Sequence, residues 1–205
     1  MTTLYLIRHA ETEWNRSGMY QGQTDTDLSE HGLWQVQALA RRFAGTPLDL
    51  VVSSDLRRAR LTAAALVDGR EPAPPLELDP RLREMSFGAW EGLHIDEIRR
   101  RFPEDLAAYQ AEPVDARPPQ GESFRELGER ALAAVTEHAA RPGVRRLAVV
   151  AHGGTIKALI CLLLGVPLQL RRQLLIDNAS VTALELREGK PALLRYLNDT
   201  HHLRR

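Results

Sequence analysis

At 205 residues the chain is long enough for a sizeable core, and a single domain over residues 1–205 is predicted. Its 27 basic residues balance 27 acidic ones, so it lacks the global field expected of a protein whose main partner is nucleic acid or an anionic membrane. The lone cysteine, Cys161, excludes an internal disulfide, and the longest apolar run, Ala158 to Leu164, is too short to span a bilayer.

The first strand begins within three residues of Met1, with no charged leader or cleavage site, and a soluble, cytoplasmic protein is predicted. Leu4-Tyr5-Leu6-Ile7 is an apolar run typical of a buried parallel strand, and it stops at Arg8-His9. Glu11 to Leu28 reads as a polar loop over that strand end. Ser29 caps a helix carrying Leu33, Val36, Leu39, Ala40 and Phe43 at helical spacing, and Gly45-Thr46-Pro47 stops it. Leu48 to Ser53 is the second strand. Asp55 begins a helix with Leu56, Ala59, Ala63, Leu66 and Val67 on its apolar face. After a loop from Gly69 to Pro75, a short extended piece at Leu76-Glu77-Leu78 leads to Glu84.

Leu93 to Gln120 reads as an insertion, with short helices at Ile95 to Phe102 and Glu104 to Ala111 and a proline-rich return. Ser123 and Glu126 form a capping box that opens the next helix. Arg146 to Ala151 is a second strand ending on a histidine, in His152-Gly153-Gly154-Thr155, and Ile156 to Leu164 follows as a helix. Val181 to Leu186 and Ala192 to Leu197, joined by Arg187-Glu188-Gly189-Lys190, form an antiparallel hairpin at a sheet edge. Alternating strands and helices predict a three-layer α/β/α sandwich.

In open α/β sheets ligands bind at the carboxyl ends of strands, where Arg8 and His9 stand. A guanidinium beside an imidazole suits a phosphate, clamped by the first and attacked by a neutral nitrogen of the second. The second strand end adds a glycine turn whose N–H groups and helix dipole face an anion.

Four segments then occur in order: Arg8-His9; Ser53-Ser54-Asp55-Leu56-Arg57-Arg58-Ala59-Arg60-Leu61-Thr62; Leu82-Arg83-Glu84 with Gly88-Ala89-Trp90-Glu91-Gly92; and Ala151-His152-Gly153-Gly154. Together they resemble the histidine phosphatase superfamily, the phosphoglycerate mutase-like group, over essentially the whole chain. Ala10 departs from the glycine commonest after the nucleophilic histidine, a small-for-small change. The resemblance implies a mostly parallel sheet with an antiparallel edge and a small helical cap insertion at about 93–120. It implies His9 as nucleophile, Arg8 and Arg58 as phosphate clamps, His152 as second imidazole and Glu84 as general acid. The leaving alkoxide needs a proton that such a carboxyl supplies. Glu91 is the rival carboxylate, and loop orientation is its expected role. Arg57 and Arg60 are expected to face solvent.

Gly153, Asn15, Gln21 and Thr24 are further candidates for phosphate or substrate contacts, with surface roles open for Gln21 and Thr24. Trp14 and Tyr20 either shape the pocket or pack the loop. Arg99-Arg100-Arg101 either faces solvent or holds a second anion. None of the seven histidines falls in a metal-ligand spacing, and His31, His94 and His138 are isolated on predicted helices, so no metal and no cofactor are expected. The expected activity is hydrolysis of a small phosphorylated metabolite through a phosphohistidine. A phosphoglycerate mutase, a biosynthetic phosphatase such as an α-ribazole phosphatase, and a non-catalytic phospholigand-binding module are the alternatives. The short span at Leu93 to Gln120 weighs against the mutase, and a general acid weighs against the binder. No nucleic-acid or membrane partner is expected, and the oligomeric state is open between monomer and homodimer.

Overall fold

A computed structural model describes residues 1–111 and 114–204. Six strands form one mixed sheet: β1 (Thr2–Arg8), β2 (Leu50–Ser53), β3 (Leu76–Leu78), β4 (Arg146–Ala151), β5 (Val181–Arg187) and β6 (Lys190–Asp199). Their spatial order is β3-β2-β4-β1-β5-β6. The first four are mutually parallel where they pair, and β5 runs antiparallel to both β1 and β6. The expected sandwich with an antiparallel edge is therefore the observed one.

Side chains of successive strand residues leave opposite faces of the sheet, and here both faces are covered. Leu4, Leu6, Leu147 and Val149 pack against Ala131 and Val135 of α6 (Phe124–Ala139) and Ile156 and Leu159 of α7 (Gly153–Leu164). Ile7, Val51, Ala148 and Val150 pack on the other face against Leu39 and Phe43 of α2 (Glu30–Phe43) and Ala59 and Ala63 of α3 (Arg57–Ala64). This is why β1 and β4 read as unbroken apolar runs.

The insertion holds α4 (Ile95–Arg101) and α5 (Pro103–Ala111). They attach through a small aromatic cluster: the Trp90 ring stands edge-on to Tyr109 at 5.4 Å and to Tyr20 at 6.3 Å. Ile98 and Leu106 close the cluster from the helices. In the predicted return, Glu112 and Pro113 lie outside the described residues. Arg99, Arg100 and Arg101 are exposed, with Arg99 paired to Asp96 and Arg101 to Glu97, so the basic run faces solvent.

Several local expectations need correction. The Glu11 to Leu28 stretch is not all loop: it contains the short helix α1 (Glu13–Arg16), capped reciprocally by Thr12 and Asn15. Asp55 does not open a helix. Its carboxylate receives two hydrogen bonds from Arg83, at 2.6 and 2.7 Å, and α3 begins two residues later without a side-chain cap. His138 is not isolated, since its Nε2 lies 3.0 Å from Asp79. A 3₁₀ turn at Leu168–Gln173 went unpredicted.

Candidate active site

The site follows from the register of two parallel strands. Arg8 of β1 is level with Ala151 of β4, and the His9 N–H donates to the Ala151 carbonyl at 2.9 Å. His9 and His152 therefore leave adjacent strands at the same height. Their rings meet with centroids 5.1 Å apart. The neighbouring strand β2 ends alongside, because the Ser54 N–H donates to the Val150 carbonyl. From there α3 carries Arg58 into the same place.

Both imidazoles are buried. His9 Nδ1 lies 2.8 Å from the Ala10 carbonyl, which can only accept, so Nδ1 carries the proton and Nε2 holds the lone pair. Burial first, then the Arg58 and Arg8 guanidinium groups, hold its pKa well below the usual 6.5. The same causes act on His152, with His9 itself as a further neighbour. Ser54 Oγ lies 2.9 Å from His152 Nε2 and accepts from the Leu56 N–H. With the serine proton donated to Nε2, His152 keeps its own proton on Nδ1.

Arg58 is almost wholly buried and is fixed by donating to the Gly22 and Thr24 carbonyls at 2.7 and 2.8 Å. Arg8 donates to the Ile176 carbonyl at 2.7 Å. After these bonds, Arg8 Nε, Arg58 Nε and His152 Nδ1 are buried and have no hydrogen-bond partner among the described residues. A buried donor left unsatisfied costs about 1–3 kcal/mol. All three belong to residues packed around the His9 ring, where such donors could take an anion.

Glu84 reaches the site from the loop after the 3₁₀ turn Pro80–Leu82. Its carboxylate accepts from the Met85 N–H at 2.9 Å and from the Gly154 N–H, at the start of α7, at 3.0 Å. A framework holds the backbone behind it. Arg130 donates to the carbonyls of Arg81, Arg83 and Glu84 and is itself paired with Glu122. Thr155 Oγ1 donates to the Arg83 carbonyl as well.

Arg8, His9, Asn15, Gln21, Arg58 and Glu84 all line one cavity of about 300 Å³, as do Trp14 and Tyr20. Asn15 and Gln21 also order the loop: Asn15 Oδ1 accepts from Thr12, and Gln21 Oε1 accepts from Thr12 and Thr26. Gly153 lies instead on an adjoining cavity. Thr24 lines neither; its hydroxyl donates to Glu91 at 2.9 Å, and its carbonyl accepts from Arg58. Glu91 also accepts from the Gln23 and Phe87 N–H groups, as a loop-orienting carboxylate does. Gly22 sits against it at φ 52°, where a Cβ would come within 2.1 Å of the carboxylate. Arg57 and Arg60 are exposed.

Sequence reasoning missed Asn178, which donates to the His9 carbonyl and to Asn15 Oδ1. It gave no role to Thr62, whose hydroxyl accepts from the Ala10 N–H and donates to the Arg58 carbonyl. Thr62 stood in the quoted segment and was findable; Asn178 carried no motif. Among the described residues no group of three potential ligands could hold a metal ion, and no helix is long and apolar enough to cross a membrane.

Comparison with known proteins agrees with this geometry. The profile of the histidine phosphatase superfamily (branch 1) matches residues 4–199. Phosphoserine phosphatase 1 of Hydrogenobacter thermophilus is 35% identical over 205 residues, covering 99% of this chain and 95% of the relative. A Yersinia pestis protein named "Probable phosphoglycerate mutase GpmB" is 33% identical over 207 residues, covering 99% and 95%. The crystal structure of the α-ribazole phosphatase from Shigella flexneri superimposes with a TM-score of 0.89 at 30% identity, covering 97% of this chain and 96% of that one.

Proposed function

The chain belongs to the histidine phosphatase superfamily, branch 1, and on that premise we propose that it is a phosphomonoester hydrolase acting on a small phosphorylated metabolite through phospho-His9. The observation that carries this reading is the set of unpartnered donors on Arg8, Arg58 and His152 around the neutral His9 ring. A phosphoryl group satisfies all three donors while presenting phosphorus to Nε2.

In the first step the Nε2 lone pair attacks phosphorus in line. The ester P–O bond breaks, and the Glu84 carboxyl gives its proton to the departing alkoxide. Arg8, Arg58 and the His152 Nδ1–H hold the equatorial oxygens as charge shifts onto them. In the second step water attacks phospho-His9 and gives a proton to the Glu84 carboxylate. Inorganic phosphate leaves and neutral His9 returns. Every proton is moved by side chains already in place, so we read the reaction as needing no metal or cofactor. We further read residues 1–205 as one catalytic domain with α4 and α5 as its cap, working in the cytoplasm.

The test is a panel of phosphomonoesters assayed in EDTA for release of inorganic phosphate, with interconversion of 2- and 3-phosphoglycerate measured alongside. Phosphate release should dominate and be blocked by vanadate. A mutase must shield phospho-His9 from water and hold a second anion in its cap, and the cap's basic run is turned to solvent. Dominant interconversion, or activity that needs an added divalent ion, would overturn the reading.

A further inference from the structure

The turn that leads into β5, residues 177–180, lies against the end of the strand that carries His9. The Ser180 carbonyl accepts from the Arg8 N–H at 3.2 Å, and the Ala179 N–H donates to the Arg8 and His9 carbonyls at 3.1 and 3.3 Å. Ala179 stands at φ 56°, which a residue with a Cβ adopts only where its surroundings hold it there. The C-terminal segment does the holding. Asn198 exchanges two hydrogen bonds with Asp177, and His202 Nε2 lies 3.1 Å from the Ala179 carbonyl. The turn so fixed sets Asn178 beside the nucleophile.

Asn178 Nδ2 carries two hydrogens and has two acceptors in reach, the His9 carbonyl at 3.0 Å and Asn15 Oδ1 at 3.2 Å. Asn15 Oδ1 also accepts from the Thr12 N–H at 3.1 Å. A carboxamide fits its space either way round, so the ends of this chain of bonds decide both orientations. The His9 carbonyl can only accept, and the Thr12 N–H can only donate. Turning either amide, or both, would set acceptor against acceptor or donor against donor. Asn15 therefore keeps Oδ1 on this chain and both Nδ2 hydrogens off it. Those hydrogens have no partner among the described residues, and Asn15 lines the cavity with Arg8, His9 and Arg58.

We propose that Asn178 is a positioning residue, which holds the nucleophile's backbone and turns the Asn15 NH₂ toward the transferring phosphoryl group. It lines neither cavity of the site and acts through its neighbours. The proposal rests on the hydrolase reading above and adds to it a residue away from the substrate.

The test is a double-mutant cycle read in kcat/KM. Asn178→Asp puts an acceptor where the NH₂ stands, at nearly unchanged volume, and Asn15 must turn its own NH₂ toward the new carboxylate. Efficiency should fall about 100-fold, as when one donor to transition-state charge is lost. The fall should be equal on alkyl phosphates and p-nitrophenyl phosphate, because the donor serves the phosphoryl oxygens and not the leaving group. Asn178→Ala leaves the Thr12 N–H to orient Asn15 and should lose only about three- to tenfold, the worth of one neutral hydrogen bond. A packing role would rank the two substitutions the other way. Asn15→Ala should cost about 100-fold, and adding Asn178→Asp to it should cost less than about tenfold more. If Asn178→Asp does not fold, the same cycle with Asn178→Ala decides, its loss vanishing beside Asn15→Ala. Losses that multiply in the double variant, Asn178→Ala worse than Asn178→Asp, or a loss confined to alkyl phosphates would overturn the assignment and leave the hydrolase intact. No phosphate release from any ester by the unsubstituted enzyme would instead sink the hydrolase reading, and this assignment with it.

Discussion

Gly154 offers a sharp perturbation of the proton donor. It is the second residue of α7, and its N–H donates to Glu84 Oε2 at 3.0 Å. A Cβ at this position would lie 2.4 Å from Glu84 Oε1, whereas ordinary contact begins at 3.4 Å. The backbone of Gly154 lies outside the positive-φ region, so alanine is conformationally allowed. The mobile partner is the carboxylate, which in Gly154→Ala must retreat by about 1 Å. A displacement of that size is worth on the order of 100-fold in rate, within the 10²–10⁴ that a general acid supplies. The kcat for alkyl phosphates should therefore fall about 100-fold. p-Nitrophenyl phosphate, whose leaving group needs little protonation, should lose less than about tenfold. Folding should barely change: alanine in a helix gains up to about 1 kcal/mol over glycine, and weakening the bond to Glu84 costs about as much. Glu84→Gln should reproduce the same leaving-group pattern. Steady-state kinetics on the two substrate classes, beside thermal melts, decide the matter. An equal loss on both classes, or no loss on alkyl phosphates, would refute Glu84 as the proton donor held by Gly154.

Two further outcomes concern stability. His9 and His152 are held neutral in the folded chain, with pKa values well below 6.5, while in the unfolded chain they titrate near 6.5. As pH falls below 6.5 the unfolded state takes up protons that the folded state refuses, so stability drops by up to about 1.4 kcal/mol per pH unit for each ring. Urea midpoints should fall between pH 7 and pH 5.5, less steeply in His9→Gln; a flat profile would count against the buried neutral pair. Arg130→Met removes the bonds to three carbonyls behind Glu84 and the ion pair to Glu122, whose carboxylate keeps only the Ser86 N–H. It should cost about 2–4 kcal/mol in denaturant unfolding and lower kcat on alkyl phosphates more than on p-nitrophenyl phosphate. Unchanged selectivity between the two would mean that Arg130 supports the fold without positioning the acid.

Much of the fold was legible because the central strands β1, β2 and β4 are buried on both faces, and β1 and β4 end abruptly at Arg8-His9 and His152-Gly153. Arg8, His9 and His152 stood at those endings and were picked out by type, whereas Arg58 and Glu84 entered as candidates only through the family resemblance. Register was not legible: nothing local to Leu4 or Val149 says that Arg8 stands level with Ala151, and that alignment brings the two imidazoles together. Long-range partners were equally hidden. Arg130 meets the Glu84 carbonyl from 46 residues away, and Gly154 meets its carboxylate from 70 away. Gly154 was readable as a turn glycine, but its tightest contact is with Glu84. The helix α1 escaped because it has four residues, and its cap pairs Thr12 with Asn15 where a Glu or Gln is the usual signal.

The central claim is that the phosphoryl group passes through His9. The most direct measurement is rapid quenching of the enzyme during turnover of a labelled phosphomonoester, followed by peptide mapping. The account predicts acid-labile, base-stable label on the peptide containing His9 and at His9 itself. In His9→Ala the label should be absent and turnover lower by several orders of magnitude. Label on a serine, an aspartate or His152, or substantial turnover in His9→Ala, would contradict it.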